Sequence, residues 1–482
     1  MNKLKKNILY NLSYQLLILL VPMITSPYLS RVLGPAGIGT YSYVHSAAYY
    51  FFILVTLGLN NYGNRLIAKA DNHAGARSKV FFSVYFLQLL CGVLALCAYS
   101  IYILGFADRV YRTYFIIYLP YVLSAVLDIN WFFFGIGDFR FTTIRSAAVK
   151  LLTLLSIFIF VKESSDLTKY FLIMGISHLL SNLLLWTRLF RYVHFYKPKF
   201  EEAICHLKPN LLLFIPIFAI SVYRVMDKIM IKEFSNIVQN AYYENADKII
   251  TMALTGFSAA ATVMMPFVSG RVAKGDTAAV KALFRDTMQI SMCFAVGCVF
   301  GLLAVAKEFA VLFFGQDFAE TGIILQMLSG TVFLSGWKAV LRSQYIIPYE
   351  KDRAYVISLV AGAVMNVLLN IIFIPIYQAR GAVLGTLAAE FIGFLIQTYV
   401  VSKEFKISTM FKDTASFLPA GILMYLAVRF LTRIFPHNMV CLIFTCCIGV
   451  LVYSALNLVF GFMFSAKRTQ YLFRTYLFCN KK

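Results

Sequence analysis

Apolar and polar positions alternate in long blocks, and the apolar blocks run to about 20 residues, the length a helix needs to cross a bilayer core. Seven such blocks fall at 9–30, 38–60, 80–105, 113–134, 141–161, 168–187 and 210–231. Seven more fall at 249–269, 287–306, 321–341, 354–376, 379–402, 414–435 and 438–464. The pattern predicts an all-α integral membrane protein with 14 transmembrane helices. The first block follows a basic start, as a secretory leader would, but it continues through Met23, Ile24 and Tyr28 without a small-x-small cleavage site. It reads as the first membrane helix.

Composition agrees with that pattern. Hydrophobic residues make up 60% of the 482 and charged residues only 14%, against about 25% charged in soluble domains. A formal net charge of +22 suggests nucleic acid or topology, and the positions of the charges separate the two. With the N-terminus in the cytoplasm, Lys and Arg lie on the cytoplasmic side of the predicted spans roughly threefold more often than outside. Both termini are therefore expected in the cytoplasm, and no nucleic-acid partner is expected. The nine cysteines and six histidines show no metal-ligand spacing, so no metal site is indicated.

The seventh span contains SVYRVMDKIMIKE, which puts Arg224, Asp227 and Lys228 inside an apolar stretch. Its Leu, Ile, Phe and Val residues favour insertion by roughly 4 to 7 kcal/mol, and the three charges oppose it by up to about 8 to 10. Positions i, i+3 and i+4 share one helical face, which is expected to line a wet interior cavity rather than face lipid.

The largest hydrophilic connection, Arg188 to Lys208, is basic and partly amphipathic. It reads as a membrane-surface linker drawn to anionic lipid, with a partner-protein site as the other reading. It divides the chain into residues 1–187, an N-terminal six-helix lobe; 188–209, the cytoplasmic linker; 210–402, a C-terminal six-helix lobe; and 403–482, helices 13 and 14 with a basic cytoplasmic tail. A weak internal echo supports two lobes around a central cavity: each half has a cation-bearing exit, a short loop to Tyr41 or Tyr243, a returning span, and then RLIAK at 65–69 or RVAK at 271–274.

At these residues the chain resembles the polysaccharide-unit (Wzx-type) flippases of the multidrug/oligosaccharidyl-lipid/polysaccharide exporter superfamily. The carriers are Ser30-Arg31-Val-Leu-Gly34-Pro35-Ala-Gly37-Ile-Gly39-Thr-Tyr41, together with Asp227-Lys228-Ile-Met-Ile and Tyr243-Glu244-Asn245-Ala246-Asp247-Lys248-Ile249. The resemblance implies a transporter, not an enzyme, that moves an undecaprenyl-diphosphate-linked oligosaccharide, such as an O-antigen or capsule unit, to the outer leaflet by alternating access. It also implies a bacterial inner membrane, a substrate held among membrane lipids, and other polysaccharide-assembly proteins as candidate partners.

Such transport needs binding groups for a diphosphate and many hydroxyls, and fixed cations can replace part of their hydration. The candidates are Arg224 and Lys228, Lys338 in the tenth span, Arg31 at the outer end of the first, Lys150 in the fifth and Arg342 beside Lys338. Lys150 and Arg342 also have the reach to snorkel to the surface, and Arg31 to cap its helix. The intramembrane acids are Asp128, Asp227 and Glu390, read either as charge-pair partners or as proton or sodium coupling sites. Glu390 is the stronger coupling candidate, because no basic residue sits within a helical turn of it. No cofactor is expected beyond such an ion. The alternatives are a cation-coupled multidrug exporter of the same superfamily and a membrane polysaccharide polymerase or glycosyltransferase.

Overall fold

Gly34 sets the first turn of the fold. Its φ of 66° lies in the left-handed region that glycine enters without steric cost, and Pro35 follows at a position suited to starting a helix. Helix α1 (Lys3–Thr56) is therefore two helices meeting at Gly34. The second of these ends at Leu57 and Gly58, a few residues before the predicted 60.

The computed structural model describes the backbone of residues 3–70 and 74–464 and the side chains of 20–70, 75–257 and 264–460. Every regular element among the described residues is helical. The basic tail from 465 onward lies outside them. Eleven helical stretches among the described residues are long and apolar enough to cross a membrane, and one of these, Leu20–Lys69, contains the Gly34 break.

The chain forms two compact units, Met1–Lys232 and Glu233–Lys482. Residues 210–232 thus fall in the first unit, whereas the sequence division put 210 at the start of the second lobe. After α1, the first unit contains the short amphipathic α2 (Leu59–Lys69), α3 (Ala74–Ile101), α4 (Arg109–Ile117), α5 (Leu119–Val126), α6 (Asn130–Gly135), α7 (Phe139–Phe160) and α8 (Leu167–Leu189). It closes with α9 (Phe200–Ile204), α10 (Leu207–Ser221) and α11 (Asp227–Phe234), whose last two residues pass the unit boundary. An aromatic core of Phe81, Tyr85, Trp131, Phe132 and Phe133 holds α2 through Leu59 and Ile67.

The predicted fourth span, 113–134, is not one helix but α4, α5 and α6 in series. Tyr118 and Ile129 leave helical geometry, and Pro120 sits in the first turn of α5. Carbonyls freed by such breaks need partners in an apolar setting. Side chains supply them: Gln88 Nε2 donates to the carbonyls of Ala125 (2.8 Å) and Asp128 (2.9 Å). Asn182 donates to Ser124 O at 2.8 Å and the Trp186 indole to Leu127 O at 3.0 Å. Trp131 in turn donates to Gln88 Oε1 at 3.2 Å, which fixes the amide.

The seventh span is also broken. A single π turn, Val222–Met226, joins α10 to α11, six residues beyond Pro216. π turns of this kind widen the backbone and recur at functional positions.

The second unit contains α12 (Ile237–Ala273), α13 (Thr277–Phe314), α14 (Ala319–Leu341), α15 (Asp352–Tyr377), α16 (Ala379–Ser402), α17 (Ile407–Ala415), α18 (Leu418–Ile434) and α19 (Met439–Phe464). The last two pack on α13 around Val296, Ala304, Met424 and Val428. Tyr453 OH donates to Cys293 O at 2.7 Å, and Arg429 pairs with Glu308 at 2.8 Å.

Candidate functional site

Helix 7, as α10, the π turn and α11, carries Arg224, Lys228 and Lys232. The expectation that Arg224, Asp227 and Lys228 share one face rests on 3.6 residues per turn, and the π turn breaks that register. The three part in burial: Arg224 is exposed, Lys228 half-buried and Asp227 fully buried. Tyr50 reaches this break from α1, its hydroxyl donating to Ser221 O at 3.1 Å.

One turn beyond Lys228, the buried ammonium of Lys232 pairs with the Asp108 carboxylate. The rings of Tyr43 and Tyr111 stand 4.8 and 5.2 Å from it, each offering its negative face to the cation. Arg224, Lys228 and Lys232 therefore follow each other at four-residue intervals. Sequence reasoning passed over Lys232 because it lies at the edge of the predicted span. Arg31 is exposed, three residues before the Gly34 break.

A second polar centre in the same unit surrounds Asp128 at the break in helix 4. Its Oδ1 accepts from the Asn130 backbone (2.9 Å) and side-chain amide (2.7 Å). Asn130 Oδ1 in turn accepts from Arg145 at 3.0 Å, so an amide bridges acid and cation. Arg145 also donates to Ser181 O at 2.9 Å and Ser146 Oγ at 3.0 Å. Asp128 thus reaches Arg145 through Asn130 rather than as a direct ion pair. Arg145 was missed, although it lies inside the fifth span and the charge argument that selected Lys150 applies to it equally. Lys150 itself is half-buried.

In the second unit, Lys338 and Glu390 meet. The ammonium lies 2.7 Å from Oε2, and Ser335 Oγ donates to the same oxygen at 2.5 Å. Gly393 makes room: a Cβ there would stand 3.3 Å from the Lys338 ammonium. The expectation that Glu390 has no basic neighbour is therefore corrected. It held along the helix, but the cation comes from α14, 52 positions away in the chain. Trp337, next to Lys338, is fully buried and donates to Thr398 Oγ1 at 3.0 Å. Arg342 donates to the Tyr355 hydroxyl at 3.2 Å.

Buried amides complete the polar interior and were not anticipated, since they carry no charge to expose them in an apolar run. Asn370 donates to Asn366 Oδ1 at 3.2 Å, and Gln397 to Ser358 Oγ at 2.9 Å. Among the described residues, no group of three or more His, Cys, Asp or Glu could hold a metal ion. Cations, amides and aromatic faces together form a chemistry of binding.

The chain matches two family models, and its relatives carry the names of transporters and flippases. Residues 4–271 match the family described as "Polysaccharide biosynthesis protein", and residues 154–446 the family "Lipid II flippase MurJ". A putative O-antigen transporter of Shigella dysenteriae is 22% identical over 392 residues, 80% of this chain and 97% of that protein. Among solved structures, a lipid II flippase MurJ in an inward closed conformation aligns with a TM-score of 0.73 at 17% identity, covering 95% of this chain and 98% of that one. An inward-facing multidrug resistance MATE family transporter aligns at 0.64 and 17% identity, covering 82% and 98%. These two likenesses establish the fold. With more than half its length matched by each model, the chain belongs to the polysaccharide biosynthesis protein family and to the lipid II flippase MurJ family.

Proposed function

We propose that the chain flips undecaprenyl-diphosphate-linked oligosaccharide repeat units, of the O-antigen or capsule kind, from the cytoplasmic to the outer leaflet by alternating access. The observation that carries this reading is the cationic series Arg224, Lys228 and Lys232 on a helix 7 opened by a π turn, within an apolar stretch. A diphosphate stripped of water needs such fixed cations, Arg as a fork and Lys as a point charge. The relatives named as O-antigen transporters and as a glycan biosynthesis flippase support the substrate class.

In this reading the chain crosses a bacterial inner membrane fourteen times with both termini in the cytoplasm. The Gly34 break counts as a turn between two crossings, α4 to α6 as one broken crossing, and α12 as another. Arg224, Lys228, Arg31, Lys150 and Arg342 contact the substrate. Lys338 and Glu390 act as a pair, with Asp128 and Asp227 the remaining candidates for proton or sodium coupling. The cation-coupled exporter reading is weakened because Glu390, its leading acid, is matched by Lys338.

The deciding experiment is translocation of a defined undecaprenyl-diphosphate oligosaccharide in proteoliposomes, comparing the parent with Arg224→Ala and Lys228→Ala at matched insertion. Transport by the parent and its loss in the variants is the expected result. A parent that moves no such lipid but expels a cationic dye under an ion gradient would replace the flippase reading with the exporter one.

A further inference from the structure

We infer that residues 191–208, which run from the end of α8 through α9 into the first turn of α10, form a binding surface for anionic lipid headgroups. This goes beyond the proposed transport function. The segment is not a slack tether. Val193 is buried in the aromatic core of the first unit, and the His194 amide donates to Ser78 Oγ at 2.9 Å. Glu202 gathers the next turn: it accepts from the Tyr196 hydroxyl at 3.0 Å and the Lys199 amide at 3.1 Å, and it pairs with Lys79 of α3 at 2.8 Å. Ala203 is fully buried.

Between these pins, the segment presents Phe195 and Phe200 outward, Phe195 with 80% of its surface exposed. Arg191, Lys197, Lys199 and Lys208 are exposed beside them. Glu202 is occupied by its pins, which leaves Glu201 as the exposed acid against four exposed cations. Aromatic rings interleaved with cations match a headgroup layer, where the rings enter the acyl boundary and the cations meet phosphate.

Position favours lipid over a soluble acidic partner. The segment runs directly into α10, whose outward Leu211 and Leu212 begin a membrane-spanning stretch only a few residues after Lys208. The pinned phenylalanines therefore stand at the depth where the apolar surface begins.

The test uses full-length protein carrying Phe195→Trp, reconstituted in phosphatidylcholine vesicles. One fifth of the lipid is brominated on its acyl chains, as either phosphatidylglycerol or phosphatidylcholine. The parent, with Trp131, Trp186 and Trp337, supplies the background. The expected result is that brominated phosphatidylglycerol quenches the new indole at least about twofold more than brominated phosphatidylcholine. Arg191→Ser with Lys197→Ser and Lys199→Ser should abolish that preference while quenching by phosphatidylcholine persists. If that triple variant fails to fold, Lys197→Ser with Lys199→Ser should reduce the preference. Equal quenching by the two lipids would overturn the inference, as would none by either, which would place the segment in water and available to a soluble partner. No transport is measured, so the result stands apart from the flippase reading.

Discussion

The Lys338 ammonium and the Glu390 carboxylate meet at 2.7 Å across the α14–α16 interface, with 14% and 5% of their side chains exposed. Removing one member of a pair this withdrawn leaves an uncompensated charge, which costs about 3 kcal/mol or more, whereas removing both is close to neutral. Lys338→Met or Glu390→Gln alone should therefore lower thermal stability in detergent markedly. Lys338→Met combined with Glu390→Leu should recover most of it. If the double variant also transports, the pair is structural; if it is stable and inactive, the pair takes part in the cycle.

Gly63 of α2 lies flat against Trp131, where an added Cβ would stand 2.5 Å from the indole. The indole is fixed by Gln88 and cannot yield freely. Gly63→Ala should therefore cost about 1–3 kcal/mol, typical of overpacking. Thermal unfolding of the purified variant reads this directly, and Gly75→Ala, whose added Cβ meets nothing within 4 Å, is the matched control.

Lys232 and Asp108 contribute unequally to their pair. Asp108 is more than half exposed, so Asp108→Asn should change stability by less than about 1 kcal/mol. Lys232→Met removes the cation from two aromatic faces as well, a further loss of about 0.5–2 kcal/mol. Transport should follow the same order, with Lys232→Met the more damaging, as read in the proteoliposome assay.

Asp276 lies between α12 and α13, where its Oδ1 caps α13 by accepting from the Ala279 amide at 3.0 Å. That amide, with a smaller contribution from Arg271, holds its carboxyl below the ordinary 3.8. A depressed carboxylate stabilises the fold above its unfolded value, and the effect fades as pH falls through the folded one. The stability difference between parent and Asp276→Ala should therefore be largest near neutral pH and shrink in acid, measured by denaturation at a series of pH values.

How much of this was legible in the sequence depends on the kind of signal. Apolar block length marked the membrane helices, because bilayer thickness acts on every crossing alike. The gap between the first two blocks marked the first turn, but Gly34 and Pro35, which make it by backbone sterics, were read only as part of the family motif. The charges that stood out were those noticed against an apolar run, which found Arg224 and Lys338 but passed over Lys232 at a predicted span edge and Arg145 inside the fifth span. Pairing was not legible. Lys338 and Glu390 are strangers along the chain, and only packing of α14 on α16 introduces them. The π turn was equally hidden: Pro216 announces a disturbance in helix 7 but not where the extra residue is absorbed.

The stitching of helix 4 also imposes an order on biogenesis. Gln88 is already synthesised when Ala125 and Asp128 emerge from the ribosome, but Asn182 and Trp186 follow their partners by 58 and 59 residues. Until α8 arrives, the carbonyls of Ser124 and Leu127 lack their final donors. In hydrocarbon they would be left stranded. The nascent fourth span must therefore wait where water or a membrane insertase can serve those carbonyls, and it leaves that shelter only in the company of α8.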